Sequence, residues 1–356
     1  LRGVYLQSAT RNALLLREAR RAAALLATAG IRTMLLKGAH LARFTYGEPA
    51  LRSMADLDLM VERDRLLEAE ALFLEAGYGP RPRPDPEKFC EVSNHLPKLI
   101  KPDAAVVELH WTIERPTSPF PIDPAALWAR ARPAVLDGTD VWLLGLEDLL
   151  LHLVLHASYH HGFDRAALKG LVDLREVIAR EGDAVDWAAF AARANAWGAG
   201  GFAWATLRLA TDLAGARVPS AALDALDHGA GDARAVEDAR RYVLMPASDL
   251  SGPLAEVATR RGGARWRFVF RRLFPERATL AAHYGVPAGS LRVWPLSLLR
   301  VGALLGLRCG LFLRALLPGA SRTAAEERDR ARRRIAAWAG PGDGEDGATS
   351  ASPTER

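Results

Sequence analysis

Residues 35–61 read LLKGAHLARFTYGEPALRSMADLDLMV. The run begins inside an apolar segment, residues 31–36, that predicts a short buried strand. After the dipeptide Lys37-Gly38, residues 39–46 take on helical spacing. Residues 56–61 alternate between acidic and apolar positions, which predicts a second strand with leucines on one face and acids on the other. The stretch therefore predicts a strand–helix–strand unit.

The flanking sequence adds helices and strands to this unit. Residues 4–29 and 63–76 have amphipathic helical patterns, and each is followed by a glycine that is typical of a helix end. Residues 95–100 and 106–111 predict a hairpin of two further strands. The order α-β-α-β-α-β-β predicts an α+β fold: a small mixed sheet backed by helices, followed by a largely α-helical C-terminal region.

The remaining sequence suggests how the chain is organised. Prolines punctuate residues 116–133, a second small hairpin is expected at 135–144, and helical patterns dominate from 147 to about 250. We divide the chain into an N-terminal helix (1–30), a mixed core (31–114), a loop and hairpin connector (115–145), a helical domain (146–250), a basic and amphipathic helical region (251–335) and a disordered tail (336–356).

Composition narrows the class of protein. The chain has 356 residues and is 49% hydrophobic and 25% charged, a composition that excludes wholesale disorder. Its net charge of +5 gives only a weak electrostatic field for nucleic-acid binding. Its two cysteines, Cys90 and Cys309, are far apart, which argues against a disulfide framework. Arginines within residues 11–21 are untypical of a signal peptide, so a cytoplasmic protein is expected.

Lysine is rare in this chain. Of 47 cationic residues, 42 are arginines, which we interpret first as the mark of a GC-rich coding background. The five lysines are Lys37, Lys88, Lys98, Lys101 and Lys169.

The acidic residues of the second strand point to metal chemistry. Asp56 and Asp58 would project from the same strand face a few ångströms apart, where like charges repel unless a cation lies between them. Hard divalent ions such as Mg²⁺ prefer oxygen ligands. A third carboxylate, Glu108 on a neighbouring strand, would complete a two-metal site of the kind used in phosphoryl transfer. The alternative is a strand edge with two solvated acids.

The order of these motifs is similar to a known family. The run 35–61, with LKG, Tyr, Arg and D-x-D in that order, and the later ELHW at 108–111 resemble the polymerase-β-like nucleotidyltransferase superfamily. More narrowly, the sequence resembles the bacterial uncharacterised nucleotidyltransferase family. The motifs match over residues 31–114, and weaker similarity continues to about residue 315.

The resemblance implies a reaction and a set of site residues. Asp56 and Asp58 would be the metal-binding pair, with Glu108 as the third acid and as the base for the acceptor. Two Mg²⁺ ions, or Mn²⁺, would assist transfer of a nucleoside monophosphate from a nucleoside triphosphate such as ATP, with release of pyrophosphate. His110 shares the strand face of Glu108 and would orient an acid or touch the substrate; plain packing is its alternative.

The nucleotide-binding residues depart from the superfamily pattern. Lys37 and Gly38 stand in place of the usual Gly-Ser loop, and Ala39 replaces the serine. The resemblance therefore implies Lys37 as a direct phosphate ligand and Arg52 as a second triphosphate ligand. The alternatives are that Gly38 serves strand-to-helix packing and that Arg52 is a surface cation.

A row of histidines follows the core. His152, His156 and His160 fall on one face of a helix, but the HExxH zinc signature is absent. On the structural interpretation, this helix packs on the sheet with its histidines hydrogen-bonded. On the functional interpretation, His156 or His160, with Asp173 on the next helix, lines the acceptor pocket.

The C-terminal third is basic and apolar. Arginines and aromatic residues alternate over 260–277, which suits either an amphipathic helix or single-strand nucleic-acid binding. We favour the helix and expect no nucleic-acid partner. Residues 294–317 predict an amphipathic helix that packs on the protein or contacts a membrane peripherally.

Two other functions stay open at this point. The missing serine would suit an inactive binding or adapter protein that keeps the nucleotidyltransferase fold. The helix with His152 and His156 would suit a metal-dependent hydrolase. For an active transferase, the acceptor is a small molecule, a peptide or a protein.

Overall fold

A computed structural model describes residues 2–80, 86–102, 104–229, 232–245, 253–273, 315–317 and 319–338. The chain divides into two units, residues 1–236 and 237–356. Most of the amphipathic segment predicted at 294–317, the end of the basic run at 260–277, Cys309, and all of the predicted tail beyond residue 338 lie outside the described residues.

One mixed sheet forms the centre of the first unit. Its seven strands are β1 (Met34–Leu35), β2 (Leu57–Met60), β3 (Gly79–Pro80), β4 (Leu99–Ile100), β5 (Val107–His110), β6 (Arg132–Leu136) and β7 (Thr139–Leu143). Their order across the sheet is β3-β4-β5-β2-β1-β7-β6. β2 pairs with β5, and β1 with β7, in parallel, whereas the other neighbours are antiparallel. β2 therefore has a neighbour on both sides.

Helices surround this sheet and continue beyond it. They are α1 (Arg2–Ala27), α2 (Lys37–His40), α3 (Leu66–Glu75), α4 (Pro86–Cys90), α5 (Pro124–Ala129), α6 (Leu146–Leu155), α7 (Ala167–Glu181), α8 (Trp187–Ala196), α9 (Gly200–Leu209) and α10 (Ser220–Asp224). Short π-helical segments, Leu41–Thr45 and His156–His160, extend α2 and α6. A mixed sheet backed by helices confirms the predicted α+β fold.

Strands β1, β2, β4 and β5 are shorter than the sequence pattern predicts. The apolar run 31–36 contributes only the two residues of β1, and Asp56 lies in the bend before β2 rather than within it. The second predicted hairpin exists as β6 and β7. It turns at Asp137 and Gly138, whose φ angles of 47° and 84° match the left-handed conformation of a tight hairpin turn. Because β7 pairs with β1, this hairpin extends the central sheet.

Alternation along β2 and β5 separates the core from the acids. Leu57, Leu59, Val107 and Leu109 belong to the hydrophobic core that also contains the apolar faces of α1 and α3. Successive strand residues point to opposite faces, so the residues between these positions face away from that core. One face of the sheet is therefore apolar, and the other can carry functional side chains.

A buried asparagine holds the loop that leads into β2. The side-chain amide of Asn12, on α1, donates hydrogen bonds to the carbonyl oxygens of Pro49 (2.6 Å) and Arg52 (2.7 Å). Its Oδ1 accepts a hydrogen bond from the backbone N–H of Met54 at 3.3 Å. These three bonds fix the backbone that delivers Asp56 and β2 to the sheet.

A buried carboxylate ties the helical part together. Asp148, near the start of α6, is completely buried and accepts hydrogen bonds from Arg130 at 2.8 Å and from Arg193 on α8 at 2.9 Å. Two charged donors compensate for the cost of burying this carboxylate. α6 also packs against α7 and α9, so its position is fixed from several sides.

The second unit is helical where the structure describes it. The helices of this C-terminal part are α11 (Asp232–Leu244), α12 (Pro253–Thr259), α13 (Gly262–Leu273) and α14 (Ala320–Trp338). α12 packs against α13 and α14 around Val257, Ala258 and Val269. No helix in the described part of the chain combines the length and the apolar character needed to cross a membrane.

His40 makes the stability of the protein depend on pH. It is completely buried in α2, and neither ring nitrogen has a hydrogen-bond partner among the described residues. Burial and the nearby Arg132 lower the pKa of His40 to about 3. The folded protein therefore keeps His40 neutral, whereas the unfolded chain takes up a proton below its ordinary pKa of 6.5. Stability should fall as the pH falls between these two values.

We expect His40→Leu to remove this acid sensitivity. The free energy of unfolding of the variant, relative to the unsubstituted protein, should rise by about 1.4 kcal/mol for each pH unit as the pH is lowered from about 6 to about 4. Urea unfolding at a series of pH values measures this slope, and any packing change from the substitution does not depend on pH. His228→Leu, at an exposed position, is the control. Parallel pH profiles for His40→Leu and the unsubstituted protein would contradict the prediction.

Candidate functional site

The parallel register of β2 and β5 brings an acidic pair together. Asp58 lies directly opposite Glu108, and Met60 lies opposite His110. Asp58, Glu108 and His110 therefore share the sheet face that points away from the hydrophobic core. Nε2 of His110 lies 3.0 Å from Oδ1 of Asp58 and 3.6 Å from Oε2 of Glu108. All three residues are buried, and one ligand atom from each lies within 4.8 Å of the others.

Asp56 lies at the rim of this cluster. Its side chain is 38% exposed, and its Oδ2 is 3.9 Å from Nζ of Lys98. Partial burial, together with the negative charges of Asp58 and Glu108, raises the pKa of Asp56. Asp56 is therefore close enough to feel both buried carboxylates, although it is not part of the three-residue cluster.

Two lysines neutralise the buried acids. Nζ of Lys37 is 3.5 Å from Oδ1 of Asp58, and Nζ of Lys98 is 2.6 Å from Oε1 of Glu108. Lys37 is the first residue of α2 and has a φ of 36°, an uncommon backbone conformation for a residue with a side chain. Such local strain is found most often at functional sites.

These contacts set the protonation states of the cluster. Burial alone would raise the pKa of Asp58, but Lys37 and the hydrogen bond from His110 hold it well below its usual range. Burial would also raise the pKa of Glu108, but the nearby imidazole of His110 contributes to lowering it to about 2. Conversely, burial would lower the pKa of His110, yet its close contacts with the two acids raise it. Both carboxylates are therefore ionised at neutral pH.

The other ring nitrogen of His110 is held by an amide. Nδ2 of Asn94 lies 3.3 Å from Nδ1 of His110. When this nitrogen accepts from the amide, a neutral ring carries its proton on Nε2 and donates it to Asp58. A half-turn of the Asn94 amide would present its oxygen to a protonated Nδ1 instead, which frees Nε2 to bind a metal ion.

The donor set fits a divalent metal ion. Asp58 and Glu108 supply two ionised carboxylates, the ligands that Mg²⁺ and Mn²⁺ prefer, and His110 supplies an imidazole nitrogen. Lys37 and Lys98 provide positive charge on these acids when no metal ion is bound. Asp56, at the rim, is placed to add a fourth donor.

Arg52 belongs to a buried network. Its side chain is 8% exposed, and Nε donates to Oδ1 of Asp173 on α7 at 2.6 Å. The hydroxyl of Tyr46 donates to the same oxygen at 2.8 Å. The alternative that Arg52 is a surface cation is therefore wrong. Its predicted role as a triphosphate ligand stays a prediction, as does the role of Asp173 in an acceptor pocket.

The histidine row lies beside the acidic cluster. Burial and the positive charge of Lys37 are the two largest causes that lower the pKa of His156, and His156 in turn helps to lower the pKa of Asp58. The rings of His156 and His160 stack with centroids 5.6 Å apart, and Nδ1 of His160 is 3.7 Å from Oε1 of Glu114. The predicted role of His156 and His160 in an acceptor pocket stays a prediction.

His152 contradicts one expectation about this row. It is buried in α6, and neither ring nitrogen has a hydrogen-bond partner in the described part of the chain. The structural interpretation, with hydrogen-bonded histidines at the interface, is therefore wrong for this residue. The group of potential metal ligands found among the described residues is Asp58, Glu108 and His110, and it contains no histidine of this row.

Several site residues were not singled out from the sequence. Lys98 contacts Glu108, Asn94 supports His110, and Asn12 holds the loop before β2. Lys169 also lies near the site: burial and Arg52 lower its pKa, while Asp56 and Asp58 act to raise it. The scarcity of lysine was a usable signal, because three of the five lysines, Lys37, Lys98 and Lys169, interact with these acids.

Comparison with known families agrees with this geometry. The family model described as uncharacterised nucleotidyltransferase matches residues 1–215. The chain belongs to this family. The match confirms the resemblance found at residues 31–114 and extends through the histidine row and α7 to α9. No curated protein and no solved structure matches the chain significantly. The chain is therefore assigned to the nucleotidyltransferases as a class.

The Arg52–Asp173 pair should stabilise the fold strongly. Removing one member of a buried ion pair leaves the other charge unpaired, which typically costs about 3–5 kcal/mol. We therefore expect Arg52→Met or Asp173→Leu to lower the free energy of unfolding by this amount, and the double variant to lose much less than the sum. Urea unfolding of the four proteins measures the coupling.

The exposed pair Arg43 and Asp137 is the control, since Arg43→Met should change stability little. Additive losses at positions 52 and 173 would contradict the buried pair. An Arg52→Met variant that folds normally but loses nucleotide affinity would instead support the phosphate role of Arg52.

Metal binding should follow the buried cluster. We expect Asp58→Asn and Glu108→Gln to abolish binding of Mn²⁺, a paramagnetic probe that accepts the same ligands as Mg²⁺. His110→Gln should weaken binding by about tenfold and remove the nitrogen coupling from the electron spin-echo spectrum of the bound ion. Asp56→Asn should have a smaller effect than His110→Gln. If Asp56→Asn instead weakens Mn²⁺ binding more than His110→Gln does, the three carboxylates Asp56, Asp58 and Glu108 are favoured as the ligands.

Proposed function

We propose that the protein is a Mg²⁺- or Mn²⁺-dependent nucleotidyltransferase that moves a nucleoside monophosphate from a nucleoside triphosphate to an acceptor and releases pyrophosphate. One observation carries the proposal: two ionised carboxylates, Asp58 and Glu108, lie side by side in a buried cluster with His110 and two lysines. The chain also belongs to a nucleotidyltransferase family.

The reaction forms and breaks one bond to phosphorus. A hydroxyl or similar nucleophile of the acceptor attacks the α-phosphorus, and the bond from this atom to the oxygen that bridges to the β-phosphate breaks. Pyrophosphate leaves with the electron pair, and the proton of the acceptor passes to a carboxylate, for which Glu108 is the candidate. A divalent ion, when bound, neutralises the negative charge that develops on the phosphate oxygens.

The residues of the chain divide the other tasks. Asp58 and Glu108, with Asp56 at the rim, would hold the metal ions, and His110 would orient or join them. Lys37 would bind the phosphates. Gly38 has a packing task in addition, because a Cβ at this position would lie 3.0 Å from Cγ of Met54. This contact supports the packing interpretation of the glycine without excluding a phosphate loop.

The acceptor would bind on the side of the histidine row. The surroundings of Asp58 include His156, whose ring stacks against that of His160, and this supports the predicted acceptor pocket. Asp173 is held by Arg52 and Tyr46, so it would shape this pocket by fixing the chain around it. Imidazoles offer both donors and acceptors of hydrogen bonds, which suits a polar acceptor such as a small molecule, a peptide or a protein.

Labelled nucleotides test the proposal directly. We expect the full chain, incubated with Mg²⁺, a cell extract and each α-labelled nucleoside triphosphate in turn, to transfer label to a product identified by mass spectrometry. Asp58→Asn should lower the rate by about 10³-fold or more, because the metal ligand is lost. Asp64→Asn, at an exposed acid close in sequence, should not.

Two results would count against the proposal. Full turnover by Asp58→Asn would eliminate the metal-dependent mechanism. The inactive adapter would be favoured by a second result. Calorimetry would show that the unsubstituted protein binds nucleotide with Mg²⁺, while the labelling experiment shows no transfer to any component of the extract.

A further inference from the structure

Lys98 links a buried acid to an exposed one. It lies just before β4, with Nζ 2.6 Å from Oε1 of Glu108 and 3.9 Å from Oδ2 of Asp56. Its side chain is 30% exposed, whereas that of Glu108 is 10% exposed. The ammonium group therefore lies on the solvent side of the acidic cluster, where a nucleotide must enter.

A divalent ion and Lys98 would compete for the same oxygens. If the ion binds Glu108 and Asp56, two positive charges meet at these carboxylates, and like charges at that distance repel. The lysine stem has four rotatable carbon–carbon bonds, and its partly exposed end is free to turn outward. A charged ammonium displaced at the mouth of the site needs a new anionic partner.

We propose that Lys98 is a triphosphate-binding residue. In the absence of nucleotide it neutralises Glu108 and Asp56, and once a divalent ion occupies these acids it donates to the phosphate oxygens. This inference rests on the proposed function. It adds Lys98 to the nucleotide site and an exchange of its partners, from carboxylates to phosphate oxygens. A lysine suits this task better than an arginine, because its compact charge pairs with single oxygens and is not locked to a carboxylate by two parallel bonds.

The chain offers a matched control for this lysine. Lys101 lies three residues further on, where Nζ donates to the carbonyl oxygen of Ala76 at 2.7 Å and lies 5.5 Å from the centroid of the Tyr78 ring. These contacts give Lys101 a structural role beside β3 and β4. Lys101→Met therefore removes a lysine from the same segment without touching the acidic cluster.

The test measures two affinities whose changes should have opposite signs. In calorimetry of the full chain, Lys98→Met should bind Mn²⁺ alone about threefold or more tightly, since a competing cation is gone. The same variant should bind a non-hydrolysable nucleoside triphosphate, at saturating Mg²⁺, about tenfold more weakly, since a charged phosphate contact is lost. Lys98→Arg should recover part of the nucleotide affinity, and Lys101→Met should leave both affinities unchanged.

Other outcomes would overturn the inference. If Lys98→Met weakens both affinities, Lys98 only positions Glu108. If Mn²⁺ binds more tightly and the nucleotide binds as before, Lys98 is only a counter-ion. If Lys98→Met does not fold, Lys98→Arg tests the inference in its place. An unchanged Mn²⁺ affinity of Lys98→Arg with a fully lost nucleotide affinity would contradict a charge-based phosphate contact. Failure of the unsubstituted protein to bind any nucleotide would overturn the proposed function itself.

Discussion

Two carboxylates side by side in the protein interior, Asp58 and Glu108, impose the constraint on which the rest of the site depends. The parallel register of β2 and β5 places them next to each other, and burial removes the water that would otherwise separate their charges. Such a pair persists only with positive charge around it. His110, Lys37 and Lys98 supply that charge in this structure. Each of them lies where a bound metal ion or a phosphate would also make contact.

The segment before β2 is held from two sides so that this pair keeps its place. Asn12, on the N-terminal helix, binds three backbone groups of the loop, and the Arg52–Asp173 pair fastens the same loop to α7. The family match over residues 1–215 covers both anchors. The N-terminal helix and the helical region therefore both support the geometry of the acids.

The cations of the chain divide into two populations with different tasks. Arginines form fixed, multidentate ion pairs with buried carboxylates, as Arg130 does with Asp148. Three of the five lysines, Lys37, Lys98 and Lys169, interact with the acidic cluster, where a flexible single-point charge can exchange partners. The arginine surplus read from composition thus says little about function, whereas the position of the few lysines says much.

Local patterns in the sequence predicted secondary-structure elements, such as the strand from the alternation at 56–61 and the turn at Asp137-Gly138. They also pointed to the acids and histidines of the candidate site. The α+β fold and the family followed from them. The strand lengths and the position of Asp56 outside β2 did not follow from these local patterns, because pairing with neighbouring strands decides where a strand begins. The contacts of Lys98, Asn94 and Asn12 could not be found either, since they join residues 10, 16 and 40 positions apart, which only tertiary packing brings together. Charge pairing acts through space, and only the register of β2 against β5 decides which charges meet.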